Sequence, residues 1–333
     1  MNILLTSAGR RSYIVDYFKN CVGVDKVYVS NSVYTIACKR ADDFFISPLI
    51  YSDEYIPSII ANCKERGITV VLSLFDIDLL VLAKNESSFS DAGIELVLAP
   101  SSFIDICNDK WKTYKFIKAL KLKTPKTYIT VDTVVEAVKR GEIRYPLIMK
   151  PRWGMASMDI YTIDDEEELR VLTNKCKKDI FNSYLKYESS MTEAQAIVYQ
   201  EKISGNEYGL DILNDLNGNY VATFAKQKLA MRSGETDLGL TCESSPFETL
   251  SRTIAENSHH HGICSLDCFM TEMGVYVIEM NCRISRHYPL SYLAGFNYPQ
   301  LLVDWINNKE TNPDLLQYKT GLYIVKDLVP TVL

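Results

Sequence analysis

Several patterns that mark whole classes of protein are missing from this sequence. It has nine cysteines but no Cys-x-x-Cys pair, so neither a zinc knuckle nor a disulfide framework is indicated, and we expect reduced, mostly buried thiols. No run of about 18 uncharged apolar residues occurs, and the first residues carry neither a basic segment nor a cleavage signal. These absences predict a soluble, cytoplasmic protein without membrane contact.

A concentrated basic surface is missing as well. The 36 Lys and Arg residues are scattered along the chain, and 42 Asp and Glu residues give a net charge of −6 at pH 7. Because nucleic-acid-binding domains gather positive charge on one face, we expect no nucleic-acid partner. Repeats and low-complexity tracts are also absent, and 333 residues are enough for two or three domains with separate cores.

Strands and helices alternate over the first 107 residues or so, which predicts a small parallel sheet with helices on both faces. The first turn, residues 7–11, lacks Gly-x-Gly-x-x-Gly, and this disfavours a nicotinamide cofactor. Its Arg10 and Arg11 either contact an anionic group or belong to a solvated turn. The predicted strands are 2–6, 26–30 and 68–74, and the predicted helices are 10–20, 52–66 and 76–85.

A second unit begins near residue 108, where Asp109 can cap a helix. An apolar strand at 146–149 ends in Lys150, and the loop 152–158 with its small residues follows directly. A lysine at the tip of a strand beside such a loop is either a phosphate clamp or a surface residue in a turn. Both interpretations stay open at this point.

A hairpin near the end of a third unit carries the strongest chemical signal. Residues 275–281 alternate with period two, which predicts that Glu279 and Asn281 share the face of Val277. The preceding strand of the hairpin brings Asp267 close to them. Two carboxylates and an amide oxygen suit Mg²⁺, which keeps coordination positions open for phosphate. Two guanidiniums, those of Arg283 and Arg286, follow this strand.

Taken in order, these segments resemble the ATP-grasp superfamily, and most closely single-copy relatives of the large subunit of carbamoyl-phosphate synthase. The similarity spans nearly the whole chain, and the ordered set is more specific than any one segment. The segments that carry it are residues 4–11 (LLTSAGRR), Asp109-Lys110, Lys150-Pro151, Gln200-Glu201, 205–207 (GNE) and 278–283 (IEMNCR).

The resemblance implies a multidomain α/β and α+β fold. A Rossmann-like, pre-ATP-grasp domain with a parallel sheet would occupy residues 1–107. The two lobes of an ATP-grasp fold would follow at 108–193 and 194–308, with the metal site in the second lobe, and a C-terminal tail would occupy 309–333. The chain departs from the relatives in having one such unit where the synthase subunit has two.

The resemblance also implies an ATP site with one or two Mg²⁺ ions, for which Mn²⁺ can substitute. The loop 152–158 would fold over the phosphates, although Gly154 is its one glycine where relatives often have several. The implied ATP contacts are Lys110, Lys150, Ser157, Gln200, Glu201, Lys202, Ile203 and Glu207, and the implied metal ligands are Asp267, Glu279 and Asn281.

The activity that this resemblance implies is an ATP-dependent carboxylate–amine ligase that works through an acyl phosphate. Arg283 would brace the transferred phosphoryl group, while Arg232 and Arg286 would hold a carboxylate or guide the amine. Arg232 could equally be a solvated loop residue, and His287 is better explained by packing or hydrogen bonding than by catalysis. The expected partners are a small carboxylate and an amine, with a homodimer as the default assembly.

Two other functions stay open. A small-molecule kinase would release the acyl or carbamoyl phosphate and would need the same ATP site but no amine pocket. A nucleotide-binding sensor would keep the ATP pocket without turnover. The sequence argues against a sensor, because every expected phosphate and metal position holds a chemically competent residue.

Overall fold

The N-terminal domain is built on a five-stranded parallel sheet. The computed structural model describes residues 1–155, 158–327 and 329–333, so the predicted ATP contact Ser157 lies outside the described residues. The strands run in the order β3-β2-β1-β4-β5 and all pair in parallel. They are β1 (Asn2–Thr6), β2 (Lys26–Asn31), β3 (Asp43–Ile46), β4 (Val70–Ser73) and β5 (Glu95–Leu96).

Six helices belong to this domain, and the apolar, nearly continuous strands β1 and β4 are buried beneath them, as is usual for parallel sheets. The predicted parallel sheet is confirmed, and the sequence analysis missed its short edge strands β3 and β5. The helices are α1 (Ser12–Lys19), α2 (Ile36–Arg40), α3 (Tyr55–Arg66), α4 (Asp76–Lys84), α5 (Glu86–Asp91) and α6 (Ser101–Asn108).

A four-stranded antiparallel sheet forms the next lobe, in the order β6-β9-β7-β8. Its strands are β6 (Thr127–Tyr128), β7 (Leu147–Pro151), β8 (Tyr161–Ile163) and β9 (Ile197–Glu201), and its helices are α7 (Lys110–Ala119), α8 (Val131–Lys139), α9 (Glu166–Phe181) and α10 (Lys186–Ser189). The predicted boundary at residue 194 separates β9 from this lobe, whereas β9 pairs with both β6 and β7.

A six-stranded antiparallel sheet completes the chain, in the order β14-β13-β10-β11-β12-β15. The predicted tail, 309–333, differs from the structure because its strand β15 pairs with β12. The strands are β10 (Asn206–Asn214), β11 (Tyr220–Arg232), β12 (Glu235–Cys242), β13 (Gly262–Thr271), β14 (Gly274–Asn281) and β15 (Tyr323–Val325), and the helices are α11 (Glu248–Ser258), α12 (Tyr288–Leu293) and α13 (Tyr298–Ile306).

Packing divides the molecule into two bodies. Side chains of the parallel sheet and of the six-stranded sheet share continuous apolar clusters, one of which joins Leu4 to Met280. The four-stranded sheet has a cluster of its own around Leu147 and Ile163. A cleft therefore opens where this smaller body faces the larger one. Over the described parts of the chain, no helix combines the length and apolar character needed to cross a membrane.

Candidate active site

A β-bulge in β14 aims the predicted metal ligands into the cleft. Asp267 of β13 pairs with Glu279, and the next residue along β13 pairs with Val277, so Ile278 is the extra residue. Val277 and Met280 are both fully buried in the core. The prediction that Glu279 and Asn281 share the face of Val277 is therefore wrong, because the bulge reverses the alternation between them.

A cavity of about 380 Å³ lies where these side chains emerge, and all three parts of the chain contribute to it. Both cations and carboxylates line it, so it is a polar, charged site. Its charged lining residues are Arg11, Asp76, Lys150, Glu207, Lys228, Glu235, Asp267, Glu279, Arg283 and Arg286, joined by Asn281 and His287.

Lys228 forms ion pairs with two of the carboxylates. Its Nζ atom lies 2.9 Å from Oε1 of Glu207 and 2.7 Å from Oδ1 of Asp267, and its side chain is 3% exposed. Burial acts to lower the pKa of Lys228, but Asp267 and Glu207 outweigh burial and raise it above the ordinary value. Sequence reasoning missed Lys228, although two lysines, Lys226 and Lys228, on one face of an apolar strand were a usable signal.

Two further lysines converge from the other side of the cleft. The Lys110 ammonium donates to the carbonyl oxygen of Gly154 and lies 3.8 Å from Oε1 of Glu279. Burial lowers the pKa of Lys150 to about 8, and repulsion from Lys110 adds to this effect. Two neighbouring ammonium groups that are incompletely neutralised by the protein suit a polyanion such as a nucleotide phosphate chain.

The helix that carries Lys110 is anchored by a buried ion pair. Asp109 accepts hydrogen bonds from the backbone N–H groups of Trp111 and Lys112, as the sequence predicts for a cap. The same carboxylate receives Arg152 in a bidentate pair, with distances of 2.7 and 2.6 Å. The start of the loop after β7 is thereby fixed against the start of α7.

Arg283 is held by the N-terminal domain. Its guanidinium donates to both carboxylate oxygens of Asp76, at 2.9 and 2.6 Å, and to Oδ1 of Asn281 at 3.2 Å. Asp76 is the first residue of α4, which begins three positions after the end of β4, and no sequence signal had singled it out. This pair links the N-terminal domain to the segment after β14, the strand that carries the predicted metal ligands Glu279 and Asn281, across 207 positions of sequence.

His287 is enclosed between two carboxylates. Its Nδ1 lies 3.5 Å from Asp211 and its Nε2 lies 3.6 Å from Asp267. Burial and the nearby Lys226 hold the pKa of His287 well below its ordinary value, so the ring is neutral at pH 7. A Cβ atom at Gly209 would lie 3.0 Å from the ring, so any larger residue there would push against His287. His287 thus packs behind Asp267 and helps to fix it.

The sequence matches two family models. One, described as an ATP-grasp domain, covers residues 107–286, and the other, described as the N-terminal domain of PylC-like proteins, covers residues 3–97. The chain belongs to the ATP-grasp family. The resemblance found in the sequence is therefore confirmed, and so is the fold that it implied.

Individual relatives of this ATP-grasp chain are distant. The arginine-specific carbamoyl phosphate synthase large chain of Bacillus subtilis is 22% identical over 81% of this chain but only 25% of its own length. The chain thus spans about a quarter of that relative. Among solved structures, the biotin carboxylase domain of 2-oxoglutarate carboxylase from Hydrogenobacter thermophilus superposes with a TM-score of 0.72, at 17% identity, over 97% of this chain and 73% of its own.

A second solved structure, an L-amino acid ligase from Bacillus licheniformis, superposes with a TM-score of 0.70 and 19% identity. The superposition covers 91% of this chain and 74% of the ligase chain. At these identities both structures support the fold and leave the substrate open.

Most of the predicted site residues meet in the ATP-grasp cleft. Lys150, Glu207, Asp267, Glu279, Asn281, Arg283 and Arg286 line the 380 Å³ cavity, and Lys110 reaches Glu279 from its edge. Their assigned roles stay predictions.

Other predicted residues lie elsewhere. Arg232 lies at the exposed tip of the β11–β12 hairpin and pairs with Asp237 at 2.8 Å. This position agrees with the alternative prediction that Arg232 is a solvated loop residue. Gln200 is buried and donates to Oγ1 of Thr127. Together with Glu201, Lys202 and Ile203 it lies outside the lining of this cavity.

The chemistry of the donors fits a hard divalent cation. The side chains of Asp267 and Glu279 line the cavity, are 27% and 29% exposed, and lie opposite each other on adjacent strands. Within the described ranges no three His, Cys, Asp or Glu side chains form a metal-binding group. The candidate set is therefore two carboxylates and the amide of Asn281. Mg²⁺ is commonly held by one or two carboxylates, with water and phosphate completing its coordination.

Proposed function

We propose that this chain is an ATP- and Mg²⁺-dependent carboxylate–amine ligase that acts through an acyl phosphate and releases ADP and phosphate. The observation that carries this proposal is the meeting of two lysines, Lys110 and Lys150, with the carboxylates Asp267 and Glu279 in one cleft. Cations of this kind neutralise a triphosphate, and carboxylates beside them hold its metal.

Each side chain has a defined task in this reaction. Lys110 and Lys150 would hold the phosphates, and Arg283 would face the transferred group. Mg²⁺ held by Asp267, Glu279 and Asn281 would neutralise charge on the phosphates. The protein thus acts by positioning and by electrostatic stabilisation, as is usual for phosphoryl transfer.

The described part of the chain offers no cysteine nucleophile at this site. Cys282, next to Asn281 in sequence, is 8% exposed and packs in the apolar core. An oxygen of the substrate carboxylate would therefore attack the γ-phosphorus of ATP and displace ADP. The amine nitrogen would then attack the acyl carbon, and phosphate would leave with that carboxylate oxygen.

Isotope transfer tests this order of events. With a carboxylate substrate labelled with ¹⁸O, label is expected in the released inorganic phosphate, because one carboxylate oxygen departs with phosphorus. Mass spectrometry of the phosphate measures it, and unlabelled substrate in ¹⁸O-water is the control for hydrolysis by solvent. Formation of AMP and pyrophosphate, or complete retention of label in the product, contradicts the acyl-phosphate route.

The similarity to carbamoyl phosphate synthase large chains supports one alternative, a kinase that releases its acyl or carbamoyl phosphate. The ligase and the kinase share the ATP site and differ in their need for an amine. A ligase releases ADP in proportion to the amide formed, whereas a kinase releases ADP at the same rate without an amine.

The depressed pKa of Lys150 leads to a pH prediction. Phosphate binds the protonated ammonium, so the affinity for Mg-ATP should be nearly constant below about pH 7 and fall above it. Between pH 7 and pH 9 the protonated fraction drops from roughly nine-tenths to one-tenth, so binding should weaken about tenfold. Calorimetric titration at both pH values measures this change.

The variant Lys150→Arg is the control. Its charge persists at both pH values, so its affinity for Mg-ATP should depend much less on pH. Equal affinity of the wild-type protein at both values contradicts the assignment of Lys150.

A further inference from the structure

A second and larger cavity, of about 690 Å³, adjoins the charged one. It lies at the carboxyl ends of β1, β2 and β3, where open parallel sheets place their ligands. Arg11, Phe75, Glu235 and Arg286 line both cavities, so the two lie side by side and share these residues as a common boundary. A ligand in the larger cavity would therefore lie next to the proposed phosphoryl-transfer site.

The walls of the larger cavity are mainly apolar and aromatic. Leu49 and Ile50 come from the loop after β3, while Tyr184 and Tyr187 come from the four-stranded lobe. Tyr51 stacks on Tyr187 with ring centroids 4.1 Å apart, which joins the two walls. The Leu49 side chain is 68% exposed and lines the cavity, so it presents apolar surface there. Such a surface suits an apolar ligand body.

Three of the four charged side chains in the described lining of the larger cavity, those of Arg11, Glu235 and Arg286, lie at the boundary with the charged cavity, and the fourth is Arg10. Arg286 and Glu235 form an ion pair at this boundary at 3.2 Å. Arg11 is half-buried beside them and donates to the carbonyl oxygens of Leu74, Ser7 and Ile284, and none of the ion pairs among the described residues includes it. Burial and repulsion from Arg283 lower the pKa of Arg11 to about 9. The junction thus holds a guanidinium without a carboxylate partner.

We propose that the 690 Å³ cavity binds the body of the carboxylate substrate, and that this substrate is a carboxylic acid with a large apolar or aromatic body. Its carboxylate would lie at the junction, against Arg11 and Arg286, and would point toward Glu279 and the phosphates. The inference rests on the proposed ligase function and names the class of acid that the ligase activates.

A panel of acids with hydroxylamine tests this class directly. Hydroxylamine nitrogen attacks an acyl phosphate at carbon and expels phosphate, so a hydroxamate forms without knowledge of the natural amine. With Mg-ATP, 3-phenylpropanoate and hexanoate are expected to give at least about tenfold more hydroxamate and ADP than acetate or succinate at equal concentration, because they bury more apolar surface. Calorimetry should show 3-phenylpropanoate binding and 3-phenylpropanamide, which lacks the charge, binding at least about tenfold more weakly.

The outcomes separate the two proposals. Turnover of acetate or succinate in preference to the apolar acids overturns the substrate class and leaves the ligase intact. Binding of apolar acids without ADP release with any acid refutes the ligase and leaves the cavity assignment standing. Displacement of bound 3-phenylpropanoate by adenosine, or absence of binding by every apolar acid, overturns the assignment.

A pair of variants tests the location. Leu49→Glu places a carboxylate on the apolar wall at an exposed position that the fold tolerates, and it should weaken 3-phenylpropanoate binding about tenfold or more while Mg-ATP binding is unchanged. Val22→Glu is the matched control, because Val22 is 75% exposed and lines neither cavity. Equal affinity of both variants for 3-phenylpropanoate overturns the proposal.

Discussion

Arg283→Ala is expected to lower turnover with a true carboxylate substrate by about 10²–10³-fold. Mg-ATP affinity should change by less than about threefold, since the guanidinium acts mainly on charge that develops in the transferring phosphoryl group. The position of Arg283, which donates to Asn281, a proposed metal ligand, motivates this expectation. Steady-state rates of ADP release and calorimetric titration with Mg-ATP measure the two effects.

The ion pair with Asp76 supplies the control for this experiment. Arg283→Ala also removes that pair, so a rate loss could arise from misplacement of the N-terminal domain. Asp76→Asn removes the charge of the pair and keeps the guanidinium, and it should cost less than about tenfold in rate. If the two variants lose activity equally, Arg283 acts by holding the domains together, and its role at the phosphoryl group is refuted.

Local pattern was enough to predict part of the site. The hairpin of β13 and β14 could be identified from two apolar runs around a short turn, and its pairing of Asp267 with Glu279 is confirmed. Strand β1 was predicted with its observed bounds, Asn2–Thr6. Short-range turn chemistry and side-chain alternation determine these features, and both can be read in one segment at a time.

The β-bulge at Ile278 could not be predicted from local sequence patterns. Simple alternation along β14 places Val277 and Glu279 on the same face. It places Val277 and Met280 on opposite faces, whereas both are buried in the core, and this is possible only with the extra residue. Their burial comes from packing of β14 against the helices α6 and α7. Glu279 and Asn281 still both line the cavity, because the bulge turns them there and not the simple alternation.

Contacts between residues far apart in the sequence could not be predicted either. Asp76 meets Arg283 across most of the chain, and Arg11 reaches the carbonyl of Ile284 across 273 positions. Strands β9 and β15 join sheets whose other members lie on the far side of a predicted boundary. Contacts of this kind depend on how whole domains dock. One sequence, taken by itself, does not show which distant residues will meet.

The second large effect concerns a buried ion pair behind the active site. Lys226 of β11 and Asp211 of β10 are both fully buried and in direct contact, and Ser291 contributes hydrogen bonds to each at 2.6 Å. Burial lowers the pKa of Lys226 despite the neighbouring carboxylate. Lys226→Met should therefore reduce the free energy of unfolding by about 3–5 kcal/mol, because it leaves the Asp211 charge buried without its partner. Urea denaturation followed by circular dichroism measures the loss.

Two comparisons isolate the origin of that loss. Lys309→Met breaks a pair with Asp304 in which the lysine is 57% exposed, and it should cost at most about 1 kcal/mol. The double variant Lys226→Met, Asp211→Asn removes both charges and should recover much of the stability, since the main cost is the unpaired charge. A double variant no more stable than Lys226→Met would show that packing around the lysine, and not the lone carboxylate, accounts for the destabilisation. Because Asp211 also faces Nδ1 of His287, recovery should be accompanied by incomplete return of Mg-ATP turnover, as the contact behind Asp267 stays altered.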